Sequence, residues 1–149
     1  MKKVNILFLA IFFFLSFPYQ KMLGQKLETP LESNQYTSLT TNDEIRVYLQ
    51  EAEKISDLIH IEEVGESVQG KPIYLVKISR TEVADSEKVK VLIFAQQHGN
   101  EPSGKEGALL LIQQIAEGKH HALFRTIDLY LMPQVNPDGG DAFQRRNAD

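Results

Sequence analysis

The run VKVLIFAQQHGNEPSGKEGALLLIQQIA, Val89–Ala116, decides how the chain folds. Val89 to Ala95 is almost continuously apolar, the pattern of a strand covered on both faces rather than one alternating between core and water. Beyond Pro102 the period changes: Ala108, Leu111, Ile112, Ile115 and Ala116 form one helical stripe. Pro102 suits a first helical turn, where its missing amide costs little. Gly118 supplies the left-handed residue that ends a helix. Between strand and helix sits His98-Gly99-Asn100-Glu101, an imidazole and a carboxylate three residues apart.

Working outward, Ile127 to Met132 (IDLYLM) is a second apolar strand. Strand, helix and strand over some forty residues make a βαβ unit, normally a crossover joining parallel strands. Upstream, Ile59–Val64 and Ile73–Ser79 are short β-rich runs, with Gly65, Gly70 and Pro72 marking the turn of a hairpin. Thr41 and Glu44 have capping-box spacing, and Ile45, Tyr48, Leu49 and Ala52 follow at helical intervals, predicting a helix over 42–56. Residues 26–41 read as an extended, polar lead-in. The architecture expected is α/β, an antiparallel hairpin beside parallel strands.

Composition excludes several classes. The chain has 149 residues, 42% hydrophobic and 24% charged, with net charge −4, so it is globular and offers no basic patch for nucleic acid. Lys2 and Lys3 precede an uncharged stretch to Gln20, then Gly24, the layout of a signal peptide over residues 1–25 cleaved near Gly24 or Gln25. A membrane anchor is disfavoured because the dense apolar run, Ile6 to Phe17, is about 12 residues where a span needs roughly 20. The protein is therefore expected to be secreted or periplasmic. The sequence has no cysteine, so neither a lipid-attachment cysteine nor a disulfide is available and stability must come from packing. The end at Arg145-Arg146-Asn147-Ala148-Asp149 is expected to be a truncation.

Ligands of open α/β sheets bind at the carboxyl ends of the strands, which is where His98 and Glu101 fall. Both residue types are good zinc ligands, and Gly99 permits backbone geometry that a side chain would obstruct. A lone H-x-x-E also arises by chance, and Glu101 near a helix start is favoured by the helix dipole in any case. A second loop, Asn136-Pro137-Asp138-Gly139-Gly140, follows the next strand, with Arg145 and Asn147 soon after. By itself that run is a turn. Together the two loops offer ligands and an arginine at neighbouring strand ends.

His98-Gly-Asn-Glu101 after an apolar strand, then NPDG, then R-x-N resembles the zinc metallocarboxypeptidases. Gly65-Glu-Ser-Val-Gln-Gly70-Lys-Pro-Ile-Tyr also resembles their G-x-S-x-x-G-R-P-I hairpin, with Lys71 where arginine is commoner. The likeness covers about residues 42–149, the N-terminal part of the catalytic domain. It implies a mixed, mainly parallel sheet with helices on both faces, incomplete at the C-terminus. It further implies one Zn2+ held by His98 and Glu101, with a third protein ligand, the substrate-carboxylate pair and the general base beyond Asp149. Arg145 would bind substrate and stabilise the oxyanion, with Arg146 the rival for that role. His60, His120 and His121 are expected to be surface or structural residues.

The expected function is hydrolysis of carboxyl-terminal peptide bonds of exported or extracellular peptides, with this portion expected to be inactive alone. A related zinc amidase or deacylase, or a cell-wall peptide hydrolase, keeps the metal and changes the substrate. A non-enzymatic exported binding module is the third reading.

Overall fold

The computed structural model describes residues 26–148. The expected signal peptide, residues 1–25, lies outside them. Four strands form one sheet in the order β1 (Ile59–Glu66), β2 (Pro72–Ile78), β4 (Ile127–Met132), β3 (Val89–Phe94). The β1–β2 and β2–β4 pairs are antiparallel, and β3–β4 is parallel. The hairpin and the βαβ unit expected from the sequence are both present, so the fold is mixed α/β.

Helix α2 (Asn42–Ile55) begins with the Thr41/Glu44 capping box: Glu44 N–H donates to the Thr41 hydroxyl, and Glu44 Oε2 accepts from Thr41 N at 2.8 Å. Helix α3 (Ser103–Ala116) ends before Gly118, whose φ of +94° is the left-handed conformation expected there. Both helices share one core with one face of the sheet. Ile45, Tyr48, Leu49 and Ala52 of α2 meet Leu109, Ile112 and Ile115 of α3 over Tyr74, Val76, Ile78, Leu129 and Leu131. Tyr48 Oη donates to the Leu109 carbonyl at 2.9 Å, and burial pushes that phenol's pKa up. Among the described residues no helix is long and apolar enough to cross a membrane.

Two expectations differ from the structure. The lead-in is not merely extended. Thr29 and Glu32 form a second capping box that starts a one-turn helix, α1 (Pro30–Ser33). Leu27, Thr29 and Thr40 are buried, and Gln113 Nε2 donates to the Leu27 carbonyl, so this segment is packed onto α3. Strand β3, read as covered on both faces, instead lies at the edge of the described sheet. There Val89, Leu92, Ile93 and Phe94 are exposed.

Candidate metal centre

The parallel pairing of β3 with β4 places their carboxyl ends side by side, Phe94 against Met132. The chain leaves β3 through Ala95 and Gln96 into the His98–Glu101 turn, and leaves β4 through Pro133–Val135 into α4 (Pro137–Asp141). Asn136 caps α4 through its Oδ1, which accepts from Gly139 N at 2.9 Å, and its Nδ2 donates to the Gln97 carbonyl at 3.3 Å.

The two loops touch backbone to backbone. Gly99 N donates to the Arg145 carbonyl at 3.3 Å. A Cβ built on Gly99 would lie 2.0 Å from the Gly139 carbonyl carbon and 2.3 Å from the Gln144 oxygen. Only glycine permits that approach.

Here the side chains singled out in the sequence converge. His98 Nδ1 lies 3.1 Å from Glu101 Oε2, and Arg145 Nη1 donates to Glu101 Oε1 at 2.7 Å. All three are at the surface, beside a concavity lined by His98, Gln144, Arg145 and Arg146. The hydrogen bonds to His98 and then Arg145 hold the Glu101 carboxyl below the ordinary carboxylate range. A carboxylate ionised at neutral pH beside an imidazole nitrogen is a suitable donor pair for zinc. The spacing fits too. Two ligands about 2.1 Å from a tetrahedral ion stand about 3.4 Å apart, close to the 3.1 Å found. Among the described residues no group of three or more His, Cys, Asp or Glu side chains is placed to hold a metal ion.

The remaining histidines are elsewhere. His120 and His121 lie between α3 and the 3-10 helix Leu123–Arg125, at the opposite end of β4, and contact Gln114 and the Ile115 carbonyl. His60 pairs with Glu53 at 3.1 Å on the surface.

The hairpin motif joins the same site. Ser67 Oγ donates to Asp138 Oδ1 at 2.6 Å, and Gln69 N donates to its Oδ2 at 3.2 Å. Lys71 Nζ meets Asp141 Oδ2 at 2.5 Å. The three sequence motifs thus form one physical unit. Sequence reasoning missed the buried amides beneath it, Gln96, Gln134 and Asn42; the polar Gln96-Gln97 pair ending an apolar strand was the available signal.

A sequence model of the family described as zinc carboxypeptidase matches residues 45–149. The chain belongs to the zinc carboxypeptidase family. It is 29% identical over 94 residues to Carboxypeptidase E of Caenorhabditis elegans, covering 58% of this chain and 20% of that protein. With Carboxypeptidase B of Helicoverpa zea it is 32% identical over 113 residues, covering 73% of this chain and 25% of that one. The crystal structure of the carboxypeptidase A from Helicoverpa armigera superposes with a TM-score of 0.67 at 26% identity, covering 75% of this chain and 29% of that chain. This zinc carboxypeptidase chain spans about a quarter of the length of such relatives.

Proposed function

We propose that the full-length protein is an exported, zinc-dependent carboxypeptidase that hydrolyses the carboxyl-terminal bonds of extracellular or periplasmic peptides. Residues 1–25 are its signal peptide and residues 42–149 the N-terminal portion of its catalytic domain. The observation that carries this reading is the 3.1 Å approach of His98 Nδ1 to Glu101 Oε2 at the carboxyl end of β3, with Arg145 on the second carboxylate oxygen.

In this reading His98 and Glu101 are two ligands of one zinc ion, and the third belongs to the segment beyond Asp149. Zinc, when bound, supplies a Lewis acid that lowers the pKa of water and polarises an amide carbonyl. The Arg145 side chain is 61% exposed at the mouth of the site, within reach of a substrate carbonyl oxygen, where it stabilises the negative charge that develops on hydrolysis. Gly99 N–H and the Arg145 carbonyl, hydrogen-bonded at 3.3 Å, keep that guanidinium in register with the ligand turn.

The test uses the full-length protein with a blocked peptide bearing a free or an amidated carboxyl terminus. The wild type should contain one zinc per chain and cleave only the free-carboxyl substrate. His98→Ala should lose both metal and activity. Arg145→Ala should keep the metal and lose at least a hundredfold in kcat, the scale of an oxyanion donor. Full activity in His98→Ala would end the proposal. Preference for the amidated peptide would make the enzyme another kind of amidase.

A further inference from the structure

Gln96 is expensive to place where it is. It is only 4% exposed, and its φ of +49° is a conformation that favours glycine. A buried side-chain amide must find partners for both ends or it destabilises the fold. Gln96 finds both. Its Nε2 donates to the Gly99 carbonyl at 2.8 Å, inside the turn between His98 and Glu101, and its Oε1 accepts from Gln134 Nε2 at 2.9 Å.

Gln134 is 2% exposed, and its Oε1 accepts from Asn42 Nδ2 at 2.9 Å. Asn42 Nδ2 also donates to the Pro72 carbonyl at 3.1 Å. Three amides therefore run in one donor-to-acceptor direction, from the start of α2, past the end of β4, to the His98 turn. The order is self-consistent: because Gln134 donates to Gln96 Oε1, the Gln96 Nε2 must face Gly99. The surrounding backbone accommodates the chain. A Cβ on Gly140 would lie 2.5 Å from Gln134 Nε2 and 2.9 Å from Gln96 Oε1.

We propose that Gln96 is a positioning residue for the metal-binding turn. Its amide, oriented by Gln134 and Asn42, ties down the Gly99 carbonyl and thereby sets the separation of the His98 and Glu101 donors. This rests on the reading of those two residues as zinc ligands. Gln96 touches neither donor atom nor substrate; it acts through the Gly99 peptide. A strained, buried amide is retained here because an untethered turn would let the two ligands drift apart, and residues supporting ligands typically change metal affinity 10–100-fold.

The experiment compares wild type, Gln96→Gly, Gln134→Met and His98→Ala as full-length protein. It measures zinc affinity by competition with a chromophoric chelator, thermal unfolding of the zinc-free form, and hydrogen exchange of the 97–101 amides. Glycine removes the tether and also relieves the left-handed backbone, so Gln96→Gly should keep its zinc-free unfolding midpoint near that of wild type. Its zinc affinity should fall by roughly tenfold or more, with faster exchange at 97–101. Zinc binding as tight as wild type in folded Gln96→Gly overturns the role. If Gln96→Gly does not fold, Gln134→Met decides, since it fills the same space but leaves Gln96 unoriented. Weakened zinc binding at an unchanged midpoint supports the proposal, and undiminished binding or failure to fold overturns it. Failure of the metal reading itself looks different: wild type and His98→Ala would then bind zinc equally, or not at all.

Discussion

Ser67 and Asp138 stand 71 residues apart in the chain and 2.6 Å apart in the fold, hydroxyl to carboxylate. Asp138 is 3% exposed, and Gln69 N donates to its second oxygen. This contact explains why a hairpin turn on the antiparallel side of the sheet belongs to the same structural unit as the loop after β4. The turn supplies the donors that hydrogen-bond a buried carboxylate in the first turn of α4. The backbone of α4 in turn abuts Gly99.

Ser67→Ala removes the hydroxyl donor and leaves a buried, charged acceptor short of one partner. A hydrogen bond to a charged group contributes about 1.5–3 kcal/mol, so the expected loss is of that size, read by urea denaturation of the full-length protein. Loosening should appear first in the α4 loop, as faster proteolysis there. An unchanged unfolding midpoint would show that water replaces Ser67 without cost.

Gly99→Ala addresses the contact between the two loops. The added methyl would sit 2.0 Å from the Gly139 carbonyl carbon and 2.2 Å from its oxygen, backbone atoms that cannot rotate away. One loop must move. The expected outcome is a stability loss at the upper end of overpacking costs, about 3 kcal/mol. Zinc binding should weaken as well, because Gly99 lies between the two proposed ligands. Equal zinc affinity in Gly99→Ala and wild type would show that the loops separate without disturbing the ligand pair.

Much of this was legible from periodicity and turn chemistry. The helix over α2, the hairpin and the βαβ unit follow from local patterns, and local patterns fix local elements. The convergence of His98 and Glu101 was visible because three residues across a turn leave little freedom. Arg145 was legible as an arginine on the loop after the next strand, and its role through family resemblance; nothing in its spacing said that its guanidinium would meet Glu101 Oε1. The exposure of β3 was not legible, since an apolar run reads as buried whatever lies beside it in the sheet. The amide chain through Asn42, Gln134 and Gln96 could not be seen either, because it joins residues 92 and 38 positions apart and polar residues carry no periodic signature. Helix α1 was missed although Thr29-Pro30-Leu31-Glu32 has the same capping spacing as Thr41 to Glu44.

Glu106 is where the lead-in is fastened. Its two oxygens accept from Thr40 N at 3.0 Å and Thr40 Oγ1 at 2.7 Å, and it lies 3.3 Å from Nζ of Lys105, which is 1% exposed. Lys105 also donates to the Thr40 carbonyl. Glu106→Gln strands that buried ammonium without a counter-charge, a change that costs about 3–5 kcal/mol. Glu106→Gln with Lys105→Met should recover much of the loss, because the pair is removed together. Denaturation of the two single variants and the double variant gives the coupling directly. Simple additivity would show that the two charges are independent.

Asp128 makes the fold sensitive to acid at the end of the sheet opposite the site. Burial raises its pKa, but hydrogen bonds from Lys88 and Ser79, with the Lys88 charge, outweigh that and hold the carboxyl below its usual range. The Lys88 side chain is fully buried, 2.7 Å from both Asp128 Oδ1 and Ser79 Oγ. A carboxyl depressed in the folded state stabilises fully above its unfolded pKa of about 3.9, and that contribution is lost as pH falls through the folded value. Asp128→Asn should therefore cost about 3–5 kcal/mol at pH 7, where the buried Lys88 ammonium loses the Asp128 counter-charge. The gap between wild type and Asp128→Asn should narrow as the wild-type carboxyl protonates below about pH 4. Urea denaturation of both proteins from pH 7 down to pH 2.5 measures that gap. A gap that stays constant across this range would mean that Asp128 is not the group that titrates.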